Sequence, residues 1–103
     1  MRKEELLREL RRLKRELSKE GFIIESLCGS YARNEATETS DIDLLYHVNE
    51  NFLKKFGGFV AFSKLEEIKK ALELRLKREV DLIPSNNLSK TAKKYLEEEC
   101  IYV

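Results

Sequence analysis

No run of apolar residues in this sequence is long enough to cross a bilayer, so no membrane-spanning role is expected. Charge of one sign is lacking too. Twenty basic side chains stand against nineteen acidic ones, a formal net charge of +1. That balance creates no overall field of the kind that draws a protein to nucleic acid, and no direct nucleic-acid partner is expected. Cysteine is scarce, with Cys28 and Cys100 alone. Met1 leads straight into Arg2-Lys3-Glu4-Glu5, the start of a helix rather than of an export segment. In such a chain the two cysteines are expected to be free thiols in a reducing cytoplasm rather than a disulfide or a metal site. There is no linker, repeat or low-complexity tract. Residues 1–103 are therefore expected to form a single domain, long enough for one core and too short for a separate substrate-binding domain.

What is present is periodicity. Leu6, Leu10, Leu13 and Leu17, with Leu7 beside them, recur at helical spacing among Arg, Lys and Glu, and Gly21 offers a left-handed stop. Phe22 to Cys28 reads as a strand, ended by a Gly29-Ser30 turn into a short helix beginning at Tyr31-Ala32-Arg33. Residues 34–40 are small, polar and aperiodic, a loop. Asp41 to Val48 is a second strand, rich in β-favouring residues. Asn49 to Gly58 is a connection. A long helix follows, with Phe59, Phe62, Leu65, Ile68, Leu72 and Leu76 on one expected inward face, although Ser63-Lys64-Leu65-Glu66 is also a capping-box start. Glu79 to Ile83 is a third strand, stopped by Pro84. Ser89 to Glu99 is a last helix, with Leu88, Ala92, Leu96 and Tyr95 as inward candidates, and Ile101-Tyr102-Val103 can add a terminal strand. The order αβαβαβα predicts an α/β fold, a mixed sheet of three to four strands packed by helices.

Three carboxylates sit where strands disfavour them. Asp41 and Asp43 open an otherwise apolar strand and, at period two, project from one face. Asp81 lies between Val80 and Leu82. Covered carboxylates so placed are tolerable when solvated, protonated or shared by a cation. If the two strands are neighbours, the three converge into an all-oxygen site of the kind magnesium prefers. Gly29-Ser30, at the end of a strand and the start of a helix, lets backbone N–H groups approach a phosphate, and Ser30 adds a hydroxyl donor. Each part has an ordinary reading: Gly-Ser as a turn, Asp-x-Asp as turn chemistry at a solvated edge, Asp81 as a solvent-facing edge residue. It is their joint order and spacing that carry the argument.

Gly29-Ser30, ten residues, then Asp41-Ile42-Asp43 resembles the G-S-x10-D-x-D signature of the polymerase-beta-like nucleotidyltransferase superfamily. The fuller string GSYARNEATETSDIDLLYHV, the leading amphipathic helix and the ending REVDLIPSNNLSKTAKKYLEEECIYV resemble minimal nucleotidyltransferase (MNT) domains over essentially the whole chain. One position departs: the family often has glycine where this chain has Asn34, a residue that tolerates the left-handed conformation. The resemblance implies two magnesium ions held by Asp41 and Asp43, with Asp81 on the catalytic ion and helping to deprotonate the acceptor. It implies ATP as substrate, with Gly29 and Ser30 on its β- and γ-phosphates. It further implies transfer of AMP to a hydroxyl, tyrosine by preference, of a partner protein. That partner would be the HEPN-domain ribonuclease toxin of a toxin–antitoxin pair, with which the chain can also form an oligomer. Two alternatives stay open, a small-molecule (antibiotic-type) nucleotidyltransferase and a non-catalytic antitoxin acting by binding.

The remaining polar residues read more plainly. Arg33 is expected to be a surface or capping arginine rather than a phosphate ligand, His47 a surface residue without a catalytic role, and Cys28 a small buried thiol. The basic residues of the first helix alternate with Glu and form a solvated face. The four tyrosines lack the clustering of a base-stacking platform. Gly57-Gly58, between Phe56 and Phe59, fits either a mobile lid or the lead-in to a helix.

Overall fold

The computed structural model describes residues 2–86 and 88–103; Met1 and Asn87 lie outside the described residues. The elements run α1 (Lys3–Ser18), β1 (Phe22–Cys28), α2 (Gly29–Ala32), β2 (Ile42–Val48), α3 (Glu50–Lys55), α4 (Phe59–Leu76), β3 (Val80–Pro84), α5 (Lys90–Glu99) and β4 (Ile101–Tyr102). They build one four-stranded mixed sheet in the order β3-β2-β1-β4. β1 pairs antiparallel with both β2 and β4, whereas β2 and β3 run parallel.

The alternation along the strands divides the sheet into two faces. Phe22, Ile24 and Leu27 of β1, Ile42, Leu44 and Tyr46 of β2, and Val80 of β3 join one buried cluster. Leu6, Leu10 and Leu13 of α1, Phe52 of α3, and Ile68, Leu72 and Leu76 of α4 cover it. Fully burying an aliphatic side chain of this size stabilises by about 1.5–3 kcal/mol, so this layer holds the fold. Asp43 and its same-face neighbours Leu45 and His47 are thereby sent to the opposite face.

Turns fix how the helices meet the sheet. Gly21 (φ 89°) sits where a Cβ would overlap Asn49 and the Phe52 backbone, so the α1–β1 turn can press against the start of α3. Asn49 caps that helix, its side chain accepting the Phe52 N–H at 3.2 Å. The segment expected as a plain connection thus contains a capped helix whose Phe52 is fully buried. Ser89 caps α5 in the same way, accepting the Ala92 N–H at 3.1 Å. Pro84 does not stop β3 short but stands in its last position, opposite Tyr46. β3 is an edge strand, where a missing N–H is tolerated.

Three expectations are corrected. Cys28 and Cys100 are joined in a disulfide, not free. The reason is register: Ser26 pairs with Tyr102 and Leu27 with Ile101, and one step further sets Cys28 opposite Cys100. The expected inward stripe of α4 holds only from Leu65 to Leu76, while Phe59 and Phe62 are 93% and 75% exposed. In α5, Tyr95 is likewise exposed and no residue is fully buried.

Candidate active site

The site grows from the C-terminal end of β1 and the strands beside it. Cys28 is the cross-strand partner of Asp43, and Asp43 is in turn the partner of Asp81 in the parallel β2–β3 ladder. Partners in a ladder share a face, so Cys28, Asp43 and Asp81 form a row across the sheet. The disulfide to Cys100 closes the row at its other end. Asp41 stands just before β2, where the Ile42 N–H donates to the Glu79 carbonyl at 2.9 Å and locks the start of β2 beside β3.

Gly29 leaves β1 at φ 72°, and a Cβ there would overlap the Asp43 carboxylate. Only a residue without a side chain lets the chain turn into α2 while lying directly against Asp43. Ser30 follows at the first turn of α2, half-buried. Its backbone carbonyl accepts the Glu35 N–H at 2.8 Å, which tucks the following loop back onto α2. Asn34 adopts φ 60°, the left-handed conformation that its type tolerates, so the loop geometry survives the absence of glycine.

Electrostatics mark Asp43 as the strained member. Its pKa is raised above the ordinary 3.8, first by burial and then by the negative charges of Asp81 and Asp41, with Arg33 pulling partly back. Asp41 and Asp81 are exposed. Among the described residues no three His, Cys, Asp or Glu side chains lie close enough together to hold a metal ion as they stand. Like charges on neighbouring strands push such a set apart. The donor set nevertheless fits a hard divalent cation: oxygen ligands only, a surplus of negative charge, and open positions for water and phosphate oxygens. A cation shared by the three would remove the repulsion that raises the Asp43 pKa.

Two groups went unnoticed in the sequence. Lys69 and Lys70 of α4 join Asp41 and Asp81 around an open cleft of about 440 Å³. Ammonium groups beside the carboxylates suit the charge of a triphosphate or its leaving group. Nothing in the run Glu66-Glu67-Ile68-Lys69-Lys70 distinguishes them from a solvated helix face until α4 is known to lie along β3. Arg33 caps α2 and pairs with Glu35 at 3.4 Å, in line with a surface role, although its charge reaches Asp43. His47 lies two β-turnings of the strand away from Asp43 and is half-buried, its Nδ1 2.8 Å from the Glu25 carboxylate, which also accepts the Ser85 hydroxyl. It takes no part in the carboxylate row.

The Gly29-Ser30 turn is thus pressed against Asp43, which pairs in register with Asp81, with Asp41 just before β2, at one end of a small mixed sheet. Comparison with known proteins gives the family. The sequence model of the nucleotidyltransferase domain family matches residues 4–103, and the chain belongs to that family. Relatives in Methanocaldococcus jannaschii bear the name "Putative protein adenylyltransferase". One is 41% identical over 97 residues, covering 91% of this chain and 90% of its own. Another is 35% identical over 100 residues, covering 94% of each chain. A solved structure described as a "putative minimal nucleotidyltransferase" superposes with a TM-score of 0.76 at 27% identity, covering 100% of this chain and 97% of that one. The protein is a nucleotidyltransferase, and its fold matches that of a minimal nucleotidyltransferase.

Proposed function

We propose that the protein moves AMP from ATP to a hydroxyl group, tyrosine by preference, on a partner protein in a magnesium-dependent reaction. The observation that carries this reading is the in-register pairing of Asp43 with Asp81 beside Gly29. The names of the relatives support a protein as acceptor.

In this reading Asp41 and Asp43 would hold two magnesium ions, with Asp81 as a further ligand. The ions, when bound, neutralise charge on the attacking and leaving oxygens of an in-line displacement. Gly29 and the N–H groups of α2 cradle the β- and γ-phosphates, and the Ser30 hydroxyl donates to one of their oxygens. Asp81 takes up the proton of the acceptor hydroxyl as its oxygen attacks the α-phosphorus. The bond to the bridging oxygen breaks, and pyrophosphate leaves past Lys69 and Lys70. The open cleft cannot enclose a small acceptor by itself, so the surface of the acceptor protein completes the site and excludes water.

The resemblance to MNT antitoxins makes a HEPN-domain ribonuclease the proposed partner, silenced by AMP and held in a common complex. Both would act in the cytoplasm, where ATP is plentiful. A disulfide in that compartment is at home in proteins of hyperthermophilic organisms. The purified pair, with ATP and magnesium, should gain mass on the partner in steps of one AMP, and the Asp41→Asn/Asp43→Asn double variant should add none. Protection of cells by that double variant at native expression would mean neutralisation by contact, and the enzymatic reading would fail.

A further inference from the structure

The first two turns of α4 present an apolar surface that the fold leaves uncovered. Phe59 is 93% exposed, Phe62 75%, Val60 56%, and Leu53 of the preceding helix 55%. Leaving large apolar side chains in water is unfavourable. Scattered apolar residues on a surface need no explanation, but neighbouring ones rimmed by charge mark an interaction site. Here the cause is geometric. At 100° per residue Phe59 and Phe62 turn away from the face that Ala61, Leu65, Ile68 and Leu72 set against the core, so they stand on a flank of α4 that the fold does not cover.

The place where this flank leads says what covers it. Gly58, Phe59 and Phe62 line an apolar groove of about 300 Å³. Phe62 also lines the adjoining pocket of about 210 Å³, together with Leu65, Leu82 and Asp81. Asp81 in turn lines the large cleft with Asp41 and Lys69. A track with Phe62, Leu65 and Leu82 on it, and the charged Glu66 and Lys69 beside them, therefore runs from the exposed end of α4 to the carboxylate that faces the acceptor. A surface patch made for a second copy of this chain or for a structural partner has no need to be continuous with the reacting groups. A patch that receives the acceptor does.

We infer that the Phe59–Phe62 face of α4 is the docking surface for the acceptor protein, which lays an apolar segment on it and feeds the neighbouring hydroxyl side chain along Phe62 and Leu65 to Asp81. The inference rests on the protein-adenylylation reading above and adds the recognition element to it: apolar residues close to the modified hydroxyl. Specificity then comes from the flanking segment as much as from the hydroxyl.

Two synthetic 15-residue peptides test this, each with a single tyrosine, one with leucines three and four positions from it and the other with serines there. With ATP and magnesium, AMP incorporation into the leucine peptide should have a kcat/KM at least about tenfold higher, the worth of about 1.4 kcal/mol. The Phe59→Ser variant should bring the leucine peptide down to the level of the serine peptide. Its circular dichroism and magnesium-ATP binding should match the wild type, because Phe59 touches neither core nor carboxylates. Fluorescence anisotropy of the labelled leucine peptide gives a readout independent of transfer. Binding that Phe59→Ser abolishes, with no AMP incorporated into either peptide, would uphold the docking surface while the adenylylation reading fails. Equal incorporation into both peptides, or a leucine preference that survives in Phe59→Ser, would overturn the docking surface while that reading stands. A wild-type dimer in sedimentation that Phe59→Ser converts to monomer, with no peptide binding, would also overturn it and assign the face to a second copy.

Discussion

Replacing Asp43 by Asn should make the protein inactive and, at the same time, more stable. The two carboxylates Asp43 and Asp81 are direct partners in the β2–β3 ladder. Like charges facing each other across strands cost roughly 0.2–1 kcal/mol. Asn keeps the shape and removes the charge, so the variant should gain about that much, which for a domain of this size raises Tm by roughly 1–8 °C. The sign with pH follows from the raised pKa. Ionised Asp43 costs stability above its folded pKa, and the cost disappears as pH falls below the ordinary 3.8. The advantage of Asp43→Asn should therefore be full at neutral pH and gone in acid. Differential scanning calorimetry from pH 7 to pH 3 measures this directly, with and without magnesium. Magnesium should raise the Tm of the wild type and do so less for the variant. A variant that melts several degrees lower at pH 7 would refute the reasoning. It would show that Asp43 is a satisfied structural carboxylate rather than one waiting for a cation.

Further outcomes follow from other parts of the site. Ser30→Ala should raise the KM for ATP about two- to twelvefold, the range set by a net hydrogen-bond worth of about 0.5–1.5 kcal/mol, and an unchanged KM in steady-state kinetics would remove the hydroxyl from the phosphate site. The disulfide links residues 72 apart, and a loop of that length restricts the unfolded chain by about 4 kcal/mol. Urea melts of the Cys28→Ala/Cys100→Ala variant should show a loss approaching that value, and no loss would mean the bond is irrelevant to the fold. Burial pushes the Glu25 carboxyl up, but hydrogen bonds from Ser85 and His47 and the charges of His47 and Lys93 outweigh it and hold the pKa below the ordinary 4.5. Its contribution is therefore present above pH 4.5 and lost as pH falls through the folded value. Melts of wild type and Glu25→Gln should converge below that pH, and a constant gap would contradict the assignment.

The strands and the meeting of Gly29, Asp43 and Asp81 were legible because they rest on local chemistry. β1 runs over the expected Phe22–Cys28 because Gly21 and Gly29 bound it with positive φ. The Gly-Ser turn and Asp-x-Asp stand at fixed distances along the chain, and the partnership of Asp43 with Asp81 needed only β2 and β3 to be neighbours. What escaped depended on distant geometry. The cysteine pair is a matter of β1–β4 register, which no composition argument contains. Apolar residues of α4 recur at three-residue steps, which drift around an α-helix, so Phe59 and Phe62 end on a different side from Ile68 and Leu72 and the expected single inward face does not hold. Lys69 and Lys70 acquire meaning only once α4 is laid beside Asp81. Helix α3 hid because six residues hold too few turns to show a period, and its cap, Asn49, reads equally well as a loop residue.

The central claim is that this carboxylate row transfers AMP to protein. The decisive measurement supplies the enzyme with magnesium, the protein encoded in the neighbouring reading frame, and ATP labelled at either the α- or the γ-phosphorus. The account predicts label on the partner protein from the α position alone, released pyrophosphate in equal amount, and no label with Asp41→Asn/Asp43→Asn. Label arriving from the γ position, or α label that persists in the double variant, would contradict it.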